Sequence, residues 1–252
     1  MVNFVGAGPG ATDLITLRGD RLLRAADVII YAGSLVNPEL LRCAKQNCEI
    51  HNSASMTLEE VIAVLEDAER RGKNSVRLHT GDSSIYGAIR EQMDELDRRG
   101  IAYAVVPGVS ALNGAAAALK AEYTLPGVTQ TVIITRAEGR TPVPDKERIA
   151  ALASHNATMA IFLSTGLLDT LSPSLIEGGY PPDTPAAIVY KASWPDEKIL
   201  RTTIANLAGT AKRENITKTA LILVGGFLGD DYARSLLYHP AFSHGCREGT
   251  VK

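Results

Sequence analysis

The chain has 252 residues, 45% of them hydrophobic, with a formal net charge of -2 and three cysteines. That length and apolar share supply one large core or two modest ones, and so balanced a charge gives no polycation for nucleic acid or an anionic membrane, so an anionic ligand must meet a local cluster. Cys43, Cys48 and Cys246 are odd in number and lack a C-x-x-C spacing, which argues against a disulfide framework and, with no apolar run near the ~18 residues of a membrane span, points to a cytoplasmic protein. Cys43 and Cys48 with His51 make a poor zinc set without a second ligand pair, and no metal is expected.

Val2 to Val5 predicts a strand that runs into Gly6-Ala7-Gly8-Pro9-Gly10-Ala11, which satisfies the dinucleotide pattern G-x-G-x-x-A. Three features argue against that reading. Pro9 removes a backbone donor where a pyrophosphate needs one. Thr12 and Asp13 are turn formers, and helical apolar spacing settles only at Leu17, Leu22, Leu23 and Ala26, so the next helix starts beyond the glycines. The second strand, Val28 to Tyr31, ends in Ala32-Gly33-Ser34, with no acid for a ribose hydroxyl. An NAD(P)-dependent oxidoreductase is therefore a remote alternative.

Thr57 and Glu60 form a capping box ahead of Val61, Ile62, Leu65 and Ala68 at helical spacing, with a stop at Gly72. Val76 to His79 is the next strand. It ends at Thr80-Gly81-Asp82-Ser83-Ser84-Ile85-Tyr86-Gly87; a Glu- and Arg-rich helix then closes at Gly100, and Ile101 to Val106 resumes as a strand. Strand alternating with helix predicts a parallel sheet, whose ligands bind at the carboxyl ends of the strands. Every Gly-rich turn of this half falls there.

Ala111 to Leu119 predicts a short Ala-rich helix, and Tyr123-Thr124-Leu125-Pro126-Gly127 interrupts the pattern. The expected division is residues 1–122 and 123–252. In the second half strands are predicted at Thr131 to Thr135, Met159 to Leu163, Ala186 to Tyr190 and Ala220 to Val224, with Ile199 to Thr203 as a hairpin partner that makes the sheet mixed. The fold class is α/β, two lobes with parallel to mixed sheets, and a small-molecule site is expected between them.

Taken in order, Gly6 to Gly10, Asp27 to Tyr31, Gly81-Asp82 with Tyr86-Gly87, Pro107-Gly108-Val109-Ser110-Ala111 and Ala220 to Gly225 resemble the tetrapyrrole methylases, S-adenosylmethionine-dependent enzymes that methylate uroporphyrinogen and the precorrins. The segments Tyr31 to Leu35, Glu122-Tyr123-Thr124, Thr135 to Pro142, Tyr190 to Pro195 and Phe242-Ser243-His244 are most similar to the branch of cobalamin biosynthesis that methylates C11 of precorrin-4 or cobalt-precorrin-4. Ala11 departs from the Asp that many relatives carry. Methylation at another precorrin carbon or on uroporphyrinogen III is the nearest alternative, and a subunit that keeps the fold without turnover is another. The resemblance implies a homodimer with the cofactor folded between the two lobes. By position it implies cofactor contacts at Pro9, Thr80, Gly81, Asp82, Ile85, Ser110, Ala111, Thr165 and Ala192.

Methyl transfer from a sulfonium needs an acceptor carbon held in line and little covalent help, and no nucleophile-and-base pair or H-E-x-x-H motif occurs in the chain. Asp82 has three open roles: base, cofactor ligand or cap of the following turn. A substrate rich in carboxylates calls for forked cations. Arg136 and Arg140, flanking Gly139 in a Pro-containing loop, are first candidates, with Arg18 and Lys191 behind them. His79 and His51 read as strand-end or loop histidines. Trp194 beside Pro195 suits either stacking on a flat macrocycle or a packed hinge.

Overall fold

The computed structural model describes residues 1–33 and 35–250; Ser34, within the Tyr31 to Leu35 segment, lies outside the described residues. Among them no helix is long and apolar enough to cross a membrane. The chain divides into two compact units, 1–115 with 191–197, and 116–190 with 198–252. The expected division after residue 122 falls beyond the end of a helix, whereas the division observed lies within that helix at Ala115 and gives the first unit a second segment.

The first unit is built on β1 (Val2–Gly6), α1 (Leu17–Ala25), β2 (Val28–Tyr31), β3 (Glu49–Asn52), α2 (Leu58–Arg70), β4 (Ser75–His79), α3 (Ile89–Arg98) and β5 (Tyr103–Val106). Its sheet runs β3-β2-β4-β1-β5 and every pairing is parallel. β4 lies between β2 and β1, so both of its edges are paired, and with an apolar cluster packed on each face all five of its residues are buried. Val76 and Leu78 join Val5, Leu23 and Ile29 on one face. Alternation sends Ser75, Arg77 and His79 to the other, where Phe4, Val61, Leu65 and Leu96 form the core beneath α2 and α3.

Helix boundaries follow local chemistry. α1 begins only at Leu17, with the Thr16 hydroxyl accepting from Gly19 N–H, so the Gly-rich turn does not open into a helix. The reciprocal Thr57–Glu60 bonds cap α2 as the spacing predicts. β3 was not foreseen. Its Glu-Ile-His-Asn sequence carries one apolar side chain on an exposed edge, so alternation gives no signal.

The second unit contains β6 (Val132–Arg136), β7 (Thr158–Phe162), β8 (Pro185–Tyr190), β9 (Lys198–Thr203) and β10 (Ala220–Val224), in the order β6-β7-β10-β8-β9. Only β6 and β7 are parallel; β8 and β9 form the expected antiparallel pair, and the sheet is mixed. Its core gathers Met159, Ile161, Ile188 and Ile222 under helices that include Leu168–Glu177 and Leu207–Arg213. The helix Ala111–Leu119, expected over the same residues, is α4.

Three strand-end turns of the first unit meet backbone to backbone. A Cβ on Gly108 would lie 2.1 Å from the Gly81 carbonyl oxygen and 2.7 Å from Gly6 Cα, and one on Gly6 would lie 2.6 Å from Gly108 Cα. Gly8 and Gly81 exchange backbone hydrogen bonds of 3.2 and 2.8 Å across the same junction. Because backbone atoms cannot step aside, Gly108→Ala is expected to cost about 3 kcal/mol, read as a lower denaturation midpoint with an unchanged denaturant slope.

Candidate functional site

The turn after β1 is held from outside. Ala7 N–H donates to the His79 carbonyl at 2.7 Å and Gly8 N–H to the Gly81 carbonyl, Ala11 N–H donates to Ser193 Oγ at 2.9 Å, Asn37 Nδ2 donates to the Gly10 carbonyl at 2.9 Å, and Trp194 Nε1 donates to the Pro9 carbonyl at 3.0 Å. With Pro9 lacking an N–H and those of Ala7, Gly8 and Ala11 already engaged, the turn keeps too few free donors to cradle a pyrophosphate. The dinucleotide reading loses its physical basis.

Trp194 lies against Gly10: a Cβ there would sit 2.1 Å from the indole Cδ1, so the glycine is the space the ring occupies. Of the two roles open to Trp194, the packed one is observed. Lys191 Nζ stands 5.4 Å over the indole and donates to Asp196 at 2.6 Å. Lys191 and Ser193, at φ of 47° and 67°, take left-handed backbone on either side of Ala192, and Ala192 is buried. A Cβ on Gly114 would lie 2.9 Å from Pro9 Cβ and 3.4 Å from Ala192 Cβ, so these two candidates share one small-residue patch.

Asp82 ties two turns together. Its carboxylate accepts from the Ser84 hydroxyl, from Ser84 N–H at 2.9 Å and from Gly108 N–H at 2.8 Å. Burial opposes its charge, but the Ser84 hydroxyl and the two backbone donors outweigh that penalty and hold the carboxyl below its ordinary range. A carboxylate so engaged is ionised and a weak proton acceptor, which favours the tie and the cap over the base. Gly81, at φ 58°, faces Ser110 and Ala111: a Cβ on it would come no closer than 3.5 Å to them. Pro9, Thr80, Gly81, Asp82, Ile85, Ser110, Ala111 and Ala192 all belong to the first unit.

Thr165 belongs to the second unit, where its hydroxyl donates to the Ala220 carbonyl at 3.1 Å. Arg136 is also there and spends its guanidinium on the carbonyls of Ala137, Thr141 and Pro142, at 3.3, 3.1 and 2.8 Å. It shapes the loop that presents Arg140, which is exposed. Arg18 of the first unit is exposed as well.

Sequence reasoning passed over the polar stripe of β4. Arg77 is 7% exposed and His79 5% exposed, and both line a cavity of about 290 Å³ together with Thr80, Ile85, Glu91 and Gln92. Arg77 Nε donates to Gln92 Oε1 at 3.0 Å and Nη1 to the Ile30 carbonyl at 3.2 Å. No carboxylate pairs with it among the described residues, and burial pulls its pKa down to about 10. His79 Nε2 has no hydrogen-bond partner there. Burial, with Arg77 adding repulsion, lowers the imidazole to about 3, so it is neutral at physiological pH. The signal was available: Ser75-Val76-Arg77-Leu78-His79 alternates in a strand predicted to be covered on both faces.

The chain matches the model of the family described as Tetrapyrrole (Corrin/Porphyrin) Methylases over residues 1–208. A relative from Methanocaldococcus jannaschii, a cobalt-precorrin-4 C(11)-methyltransferase, is 56% identical over 252 residues, covering 100% of this chain and 97% of its own. A solved cobalt precorrin-4 methyltransferase of cobalamin biosynthesis superposes with a TM-score of 0.89 at 48% identity, over 91% of this chain and 96% of its own. A uroporphyrin-III C-methyl transferase from Thermus thermophilus, solved in complex with S-adenosyl homocysteine, gives a TM-score of 0.73 at 26% identity, over 90% and 92%.

The neutral, buried His79 has a consequence for stability. The unfolded imidazole titrates near 6.5 and the folded one near 3, so the unfolded chain binds the extra proton between those values. Stability is complete above pH 6.5 and falls as the pH drops, by about 2 kcal/mol between pH 6.5 and 5. Denaturation curves over that window, where carboxylates stay charged, are expected to flatten in His79→Phe; an undiminished slope would refute the assignment.

Proposed function

Since the chain belongs to the tetrapyrrole methylases, we propose that it transfers the methyl group of S-adenosylmethionine to C11 of cobalt-precorrin-4 or precorrin-4, as a C-methyltransferase of corrin-ring biosynthesis. The observation that carries this reading is 56% identity to a cobalt-precorrin-4 C(11)-methyltransferase across the whole of the chain. The uroporphyrin-III enzyme shares the fold at 26% identity, which supports the shared cofactor more than a shared substrate.

The residues present fit the cofactor. Gly81 brings its backbone beside Ser110 and Ala111 with no side chain between, the buried small residues Pro9, Gly114 and Ala192 hold the neighbouring turns close, and Thr80 and Ile85 line the adjoining cavity. We assign Pro9, Thr80, Gly81, Asp82, Ile85, Ser110, Ala111, Ala192 and Thr165 to holding it. When bound, S-adenosylmethionine supplies an electrophilic methyl on a sulfonium and leaves as S-adenosylhomocysteine. The protein's work is to orient and to exclude water. Asp82 keeps the Gly81 and Gly108 turns in register, and the Trp194 loop fixes the Pro9 turn. Arg140, Arg18 and Lys191 remain candidates for substrate carboxylates, and Arg136 acts by shaping the loop that carries Arg140. The proposed assembly is a homodimer.

Incubating the protein with precorrin-4, with and without cobalt, and methyl-labelled S-adenosylmethionine is expected to give one labelled methyl at C11, located by mass spectrometry and carbon NMR. A methyl at another ring carbon would overturn the regiochemistry. Calorimetric binding of S-adenosylhomocysteine without transfer would leave the cofactor and remove the acceptor.

A further inference from the structure

The cavity beside β4 holds an arrangement that folding alone does not explain. Arg77, a residue 93% removed from solvent, pairs its guanidinium with a neutral amide and a carbonyl instead of a carboxylate, so its desolvation penalty is only partly offset and no counter-ion meets its charge. Nη2 donates to nothing among the described residues, and the partnerless Nε2 of His79 lines the same space. An Nη2 with no recorded acceptor, a buried Nε2 without a partner, a net positive charge and room beside them describe half of an anion site.

We propose that Arg77, oriented by Gln92 and joined by His79, receives one carboxylate arm of the tetrapyrrole substrate in the cavity between β4 and the start of α3. The inference rests on the reading of the chain as a tetrapyrrole methylase. The volume, about 290 Å³, is at the low end for a small-molecule pocket and takes a side arm, not a macrocycle. The charge selects an anion, and the planar fork selects a carboxylate over a point anion. Glu91 is the one acid among the described lining residues; it is exposed and makes no ion pair with Arg77. Thr80 and Ile85, assigned above to the cofactor, line the same cavity, so an arm anchored on Arg77 enters beside them. Arg77 is thus a positioning and specificity residue: it fixes the macrocycle by an arm remote from the reacting carbon.

The same observations give the test opposite signs for a structural and a functional role. Replacing a buried cation that lacks a counter-ion with an apolar side chain of similar volume removes the desolvation penalty, so Arg77→Met is expected to melt no lower than wild type. The same variant should bind uroporphyrin III about 10- to 100-fold more weakly and raise KM for precorrin-4 by a similar factor, since one charge-assisted bond to a carboxylate is lost. Its affinity for S-adenosylhomocysteine should stay within about twofold of wild type. Arg77→Lys, which keeps the charge without the fork, should fall between the two and decides the matter if Arg77→Met does not fold. A lower melting temperature with unchanged uroporphyrin binding and KM would make Arg77 structural and overturn the proposal. So would weakened S-adenosylhomocysteine binding with unchanged tetrapyrrole binding, which would give the carboxylate to the cofactor. If the wild type fails to methylate precorrin-4, the reaction assigned above falls, while the uroporphyrin arm of the experiment still decides for or against Arg77.

Discussion

The close approach of Gly6, Gly81 and Gly108 is the constraint on which the first unit depends. Three neighbouring parallel strands end where their turns would collide if Gly6 or Gly108 carried a side chain, and Gly81, at a φ of 58°, takes the left-handed backbone that brings its carbonyl against both. The junction is secured by the paired Gly8–Gly81 backbone bonds and by the Asp82 carboxylate bonded to Gly108 N–H. Candidate cofactor residues at Thr80, Gly81, Asp82, Ser110 and Ala111 are all attached to these turns. Their precision is therefore a property of backbone packing, with few flexible side chains involved, which suits a reaction whose main requirement is alignment.

Against this tight junction, β4 carries an unusual cost. A central strand covered on both faces is expected to be apolar throughout, yet its inner face presents Ser75, Arg77 and His79 to a core of Phe4, Val61, Leu65 and Leu96. Ser75 Oγ and His79 Nε2 lack hydrogen-bond partners, and Arg77 lacks a counter-ion among the described residues. Buried polar groups left incomplete are the sites at which a fold departs from its own stability optimum. Of these groups His79 ends β4 at the carboxyl edge of the sheet, where parallel sheets place their ligands, and Arg77 lines the same cavity.

Much of this architecture was legible. β2, α4, β10 and the α2 capping box follow from apolar runs, alanine spacing and a Thr-x-x-Glu signature, because each depends on neighbours a few residues away. The glycine turns were legible as turns at strand ends, though their mutual contact was not, since nothing in Gly6 specifies Gly108. β3 was hidden because an exposed edge strand needs no alternation. Arg77 could have been read from the alternation of Ser75, Arg77 and His79 with Val76 and Leu78, but nothing local to β4 specifies the cavity beside it. Trp194 and Arg136 show a different limit. Sequence identified them as residues in informative loops, but their partners, the Pro9 carbonyl 185 positions away and three carbonyls of the Arg136 loop itself, are set by tertiary structure.

The two charged groups nearest these turns divide the work by their surroundings. Asp82 sits among donors that satisfy it, so its negative charge is fixed and its proton affinity low. Arg77 sits among too few acceptors, so its positive charge is kept at a cost and remains available. A saturated anion serves as a structural tie, because a further partner gains little from it. An unsaturated buried cation serves recognition, because an incoming carboxylate relieves a penalty already present in the free protein. On this division catalysis draws on geometry fixed by glycine and Asp82, and substrate affinity draws on charge left unpaired, so substitutions at Gly108 and at Arg77 act on separate terms of the same reaction.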